Sequence, residues 1–173
     1  MTIKFNISEE DYVNFNIDHF HKIKPMKGSE FLLRFLLPLA MFILCVLMNV
    51  EHLILLIVIL YAIIWIGFFQ KFMRRARKSS TLNFIRKGKA NDFIGNQSVT
   101  LEDDAIEITN AVSLSKIKYQ AVEDIYYSSN LYYIYVGAIK AVLVPYSAFS
   151  GEKQRQEFFD ILYKKTGVMI KII

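Results

Sequence analysis

Apolar positions crowd into one part of this chain. Phe31 to Val50 reads FLLRFLLPLAMFILCVLMNV, with Arg34 as its only charge, and Leu53 to Phe69 reads LILLIVILYAIIWIGFF with none. At about 1.5 Å per residue, twenty helical residues cover about 30 Å, the hydrocarbon thickness of a bilayer. Neither run keeps the polar stripe of a helix packed in a soluble core. The pattern predicts a transmembrane hairpin over 31–69, with spans at 31–50 and 53–69. Asn49 to His52 is the connection, short enough to make the spans antiparallel neighbours.

Outside the hairpin the periodicity changes twice. Ile3, Phe5 and Ile7 alternate with polar residues, which predicts a strand. Ser8 then caps a helix from about Glu9 to Lys22 with Tyr12, Val13, Ile17 and Phe20 on one face, and Pro25 and Gly28 break the chain before the membrane. The residues before the first span, 1–30, form this N-terminal strand and amphipathic helix. After the second span Phe72, Met73, Ala76, Ser80 and Phe84 keep helical spacing, so that helix continues through a basic juxtamembrane segment, 70–91, to about Lys87, with Gly88 as its stop.

From Gly95 the period becomes two. Strands are expected around Val99–Leu101, Ile106–Ile108, Val112–Leu114, Ile125–Ser128, Leu131–Val136 and Ala138–Val144, with turns at Asp103–Asp104, Asn110–Ala111 and Ser129–Asn130. Pro145 ends the last strand, Ser150 is the expected cap of a helix from Gly151 to Thr166, and Gly167 closes it. Val168 to Ile173 is a β-prone tail. The fold class is therefore an α+β membrane protein: a two-helix hairpin plus a small antiparallel-sheet domain, 92–173, closed by a C-terminal helix.

The net charge of +5 is concentrated at the end of the second span. Lys71, Arg74, Arg75, Arg77, Lys78, Arg86, Lys87 and Lys89 follow it with no acidic residue among them. Lys22, Lys24 and Lys27 precede the first span, and the turn between spans has no Lys or Arg. The positive-inside rule puts both termini in the cytosol, in a multi-pass protein of the cell membrane. With Arg34, which snorkels from the first turn of its span, the eight basic residues are the expected contacts to anionic headgroups. Basic residues in that position already have a partner in the bilayer, which argues against nucleic acid. Cys45, the single cysteine, lies inside the first span and serves packing.

Catalytic chemistry finds little material. There is no histidine after His52, no cysteine outside the span and no Gly-rich phosphate loop. Asp103 and Asp104 have turn composition, Ser113 and Ser115 read as strand residues without a base nearby, and His19 and His21 fall on different helix faces. No cofactor or metal is expected. Tyr126, Tyr127, Tyr132, Tyr133 and Tyr135 crowd two adjacent strands, where aromatic pairs stabilise a sheet, and are expected to leave a sheet face free for a partner.

Three segments, VTLEDDAIEI at 99–108, SKIKYQAVEDIYYSSNLYYIYV at 115–136 and LVPYSAFSGEKQRQEFFDIL at 143–162, follow a strand, a capped helix, a hairpin and a basic extension. In that order the chain resembles the YcxB-like membrane proteins of bacteria. It departs from them at Tyr146, where members often carry a basic residue after the proline. The resemblance implies a pleckstrin-homology-like cytosolic domain and no particular chemistry. The expected function is a membrane-anchored, non-enzymatic binding or interaction module whose partners are the bilayer and an unidentified protein or a second copy. An accessory subunit of a membrane transporter or complex, and a membrane enzyme, are the alternatives.

Overall fold

A computed structural model describes residues 1–20, 27–137 and 140–173. Lys22, Lys24, Pro25, His21 and the strand residue Ala138, all used above, lie outside the described residues. The chain divides into two units, Met1–Asp18 with Thr81–Ile173, and His19–Ser80.

The second unit is the hairpin. Its first arm is α2 (Lys27–Phe31), a π-helical stretch (Leu32–Leu36) and α3 (Leu37–Leu47), and its second is the front of α4 (His52–Arg86). Gly28–Leu47 and His52–Arg86, with mean hydropathy 2.2 and 2.7 in their most apolar windows, are long and apolar enough to cross a membrane. Gly28 is not the break expected of it: helix already begins at Lys27. One glycine in a first turn costs only about 1 kcal/mol against alanine, too little to interrupt a long apolar helix.

Pro38 leaves a local problem that the second arm solves. A π-turn closes from residue i to i+5, so the carbonyl of Leu33 would need the N–H that Pro38 lacks. Trp65 Nε1 donates to that carbonyl at 3.3 Å, and Arg34 Nε donates to the Ile66 carbonyl at 3.2 Å. Thus each arm supplies a side chain to the other's backbone. The turn between arms is a Schellman motif: Asn49 takes φ 50°, its N–H goes to Val46, and the Val50 N–H goes to Cys45.

The first unit is a β-sandwich with two helices. One sheet runs in the order β1 (Thr2–Ile7), β2 (Gly95–Leu101), β3 (Ala105–Asn110), β4 (Leu114–Lys118), all antiparallel. The other runs β7 (Lys140–Pro145), β6 (Leu131–Val136), β5 (Val122–Ser128), β8 (Ile170–Ile172), with β8 parallel to β5. β1 pairs along its whole length with β2, Ile3 opposite Val99 and Ile7 opposite Gly95. In sequence, therefore, the hairpin is an insertion between the first two strands of one sheet.

Turn chemistry accounts for most of the connections. Ser129 and Asn130 both take positive φ, 52° and 62°, as a two-residue primed turn between β5 and β6 requires. At the β3–β4 turn, Asn110 Oδ1 accepts the N–H groups of Val112 and Ser113 at 2.9 and 2.6 Å. That Asx arrangement puts Val112 and Ser113 in the turn, not in the strand the alternation suggested, because the side chain replaces a ladder bond with a local one.

α5 (Glu152–Thr166) has Gly151, not Ser150, at its N-cap position. Ser150 instead donates its N–H and hydroxyl to Gln154 Oε1, at 2.7 and 2.9 Å, so the N3 side chain reaches back to the residue before the cap. Gly167, at φ 72°, closes α5.

The core lies between the sheets and under α5, where Val99, Leu101, Ile106, Ile134, Val144, Phe158 and Leu162 are buried. α1 (Glu9–Asp18), which runs on as π-helix through His19 and Phe20 and whose expected end at Lys22 lies outside the described residues, covers part of the other face of β6: Phe15 stands 5.3 Å from the Tyr133 ring, edge on, and 6.3 Å from Tyr135. Tyr133 and Tyr135 are consequently buried, Tyr132 is buried on the core face against Phe149 and Phe159, and the expected free tyrosine face is absent there. A central strand covered on both sides buries both of its phases.

Candidate functional site

Strand parity decides what the sandwich presents at each end. On β2 the inward phase is Leu101, Val99, Gln97; on β3 it is Ile106, Ile108, Asn110; on β4, Ile117 then Ser115; on β7, Val144, Val142, Lys140. Each series starts apolar in the core and turns polar at the same end, where β2 begins and β3 turns into β4. The opposite end is closed by α5. There Lys165 donates its ammonium to the backbone carbonyls of Asp103 and Glu102 and lies 5.1 Å from the Tyr119 ring centre.

At the polar end the two sheets part around a cavity of about 500 Å³, within the range of small-molecule sites. Ile108, Ile117, Val136 and Val142 line its apolar side, and Ser113, Ser115 and Lys140 line its polar side. The segment before β2 forms another wall, held by two side chains: Asn110 Nδ2 donates to the Asp92 carbonyl and Gln97 Nε2 to the Phe93 carbonyl, both at 2.8 Å. Those amides are spent on construction. Ser115 Oγ and Lys140 Nζ make no hydrogen bond or ion pair among the described residues, whereas Lys116 is held by Glu102 at 2.8 Å and Glu107 at 3.1 Å. The hydrogen bond it donates to Glu102, and then that to Glu107, push the Lys116 ammonium pKa up, so it stays charged and committed.

Residues 101–162 match the YcxB-like protein family. Comparison with curated proteins and with solved structures gives no match. The YcxB-like segment runs from the last residue of β2 into α5 and contains Ile108, Asn110, Ser115, Lys140 and Val142 of the cavity. Asp92, Phe93 and Gln97 lie before it.

The basic residues expected at the membrane surface are not gathered at this cavity. Arg74, Arg75, Lys78 and Arg86 are exposed on α4, Lys87 and Lys89 follow it, and Lys71 lies 5.4 Å from the Phe68 ring centre. Arg77 forms an ion pair with Glu30 and stands over the Phe20 ring, so it is tied into the hairpin. Arg34 has a backbone partner across the hairpin. Among the described residues no cluster of three His, Cys, Asp or Glu is placed to hold a metal. Asp103 and Asp104 lie at the β2–β3 turn, and Ser113 and Ser115 at the cavity. Lys140 and Ser115 were invisible as a pair in the sequence, twenty-five positions apart; the signal that could have found them is the shared polar end of the inward phase, which needs the register.

Proposed function

We propose that this chain is a membrane-anchored, non-enzymatic interaction module. In this reading the two apolar helices span the bilayer with both termini cytosolic, and the basic residues from Lys71 to Lys89 lie against anionic headgroups. The sandwich, pleckstrin-homology-like in its two sheets and closing helix, recognises its ligand at the open end. The observation that carries the reading is the asymmetry of the sandwich: one end closed by α5, the other left as a cavity of about 500 Å³ with uncommitted polar groups. Juxtamembrane cations contribute on the order of 1 kcal/mol each near anionic lipid, less as salt screens them, so the stem suits a surface role.

The test is a stabilisation screen of the full chain in nanodiscs against classes of lipid and metabolite. Ser115→Phe fills the cavity and Thr109→Phe, on the outward phase of β3, is the control. A class that raises the thermal midpoint of wild type and of Thr109→Phe but not of Ser115→Phe supports the reading. Stabilisation by no class, or equally in both variants, overturns it.

A further inference from the structure

Resting on the reading of the open end as a recognition site, we propose that its ligand is an amphiphile with one anionic headgroup and a short hydrocarbon part. The headgroup falls to Lys140 and Ser115, the hydrocarbon to Ile108, Ile117, Val136 and Val142.

Lys140 is the cation placed for this. It continues the inward phase of β7 past Val142 and Val144, so it belongs to the cavity, and no carboxylate among the described residues neutralises it. The lysines nearest in kind are spent: Lys116 on Glu102 and Glu107, Lys171 on Asp124, Lys165 on two carbonyls. Ser115, inward on β4, adds a hydroxyl donor without a partner among the described residues. A charge-assisted bond from an ammonium together with a hydroxyl is the chemistry of phosphate or carboxylate recognition. A bare anion would leave the half-buried Ile108, Ile117 and Val136 side chains facing water, whereas an attached alkyl part covers them at about 25 cal/mol per Å². Asp92 is the acidic residue on the lining, exposed, with its carbonyl fastened to Asn110. Its charge opposes an anion, which gives the proposal a second, oppositely signed handle.

The experiment is calorimetric titration of the full chain in nanodiscs of neutral lipid with n-hexyl phosphate, inorganic phosphate and n-hexanol. Hydrogen exchange is followed on the peptides covering β4 and β7. Expected are binding of hexyl phosphate with protection of both strands, about ten-fold weaker binding of inorganic phosphate, and no measurable binding of hexanol. Lys140→Gln should weaken hexyl phosphate about ten-fold, Lys140→Arg should restore it, and Asp92→Asn should strengthen it. An affinity indifferent to Lys140→Gln, or hexanol binding as well as hexyl phosphate, overturns the anionic class. Repeating the titration in discs containing phosphatidic acid separates the sources: competition assigns the site to a bilayer headgroup, and unchanged affinity assigns it to a free amphiphile. A neutral ligand found by the Ser115→Phe screen would leave the recognition site standing and remove only this inference.

Discussion

The hydroxyl of Tyr133 donates to Asp18 Oδ2 at 3.0 Å, both residues buried and 115 positions apart in the chain. Asp18 ends α1, immediately before the chain leaves for the hairpin, and Tyr133 is in the middle of β6. Burying a carboxylate carries a desolvation cost, so its partners must offset it. Burial and the nearby Asp18 charge push the Tyr133 phenol pKa strongly up, which keeps it a proton donor at every physiological pH. Removing the donor in Tyr133→Phe should cost about 1–3 kcal/mol and release α1 from the sheet. Urea denaturation of the full chain in detergent, with proteolysis after Asp18, measures both; unchanged stability would show that the hydrogen bond contributes nothing.

The hairpin carries a second checkable pairing. If Trp65 supplies the donor that Pro38 withholds from Leu33, Trp65→Phe should cost about 1 kcal/mol in the native background. It should cost little in a Pro38→Ala background, where residue 38 regains an N–H. A double-mutant cycle by SDS-induced unfolding reads the coupling; additive losses would mean the two positions are independent.

β1 is the edge of a sheet whose other strands lie beyond the hairpin, with Ile3 and Ile7 buried against them. A fragment of residues 81–173 should accordingly fail to fold, since β2 would expose its pairing edge and the core would lose two isoleucines. Residues 1–18 joined to 81–173 by a flexible linker should fold. Amide dispersion in NMR spectra distinguishes the two, and a well-dispersed 81–173 fragment would refute the dependence.

Acid should loosen the start of α5. Arg155 donates to Glu152 and to the Tyr132 hydroxyl, and Tyr146 donates to Glu152 at 3.3 Å. Chiefly through the Arg155 hydrogen bonds, the Glu152 carboxyl is held down to about 2, against about 4.3 in an unfolded chain. The folded pKa is depressed, so this contribution is complete above about 4.3 and is lost as pH falls toward about 2. The gap in thermal midpoint between wild type and Glu152→Gln should therefore narrow across that window; a constant gap would assign the effect to packing.

Topology is open to direct labelling. In a Cys45→Ala background, a cysteine at Glu51 should react with an impermeant thiol reagent applied to intact cells and one at Ser150 should not. The reverse pattern would invert the orientation.

Local physics made several features readable from residues alone. The two apolar helices follow from run length, the Ser129–Asn130 turn from residues that tolerate positive φ, the ends of α4 and α5 from Gly88 and Gly167, and the YcxB-like segment from strings that persist through 101–162. Other features depended on which surfaces meet. Alternation marks two faces of a strand but is silent on whether one or both are covered, so the burial of Tyr133 and Tyr135 waited on Phe15 arriving from α1. The cost of burying Asp18 appears only once β6 is beside it. Ser115 and Lys140 become one site because β4 and β7 place their inward phases around the same opening. Hydrogen-bond register between distant strands sets that placement, and register is a property of the assembled sheet, not of either segment.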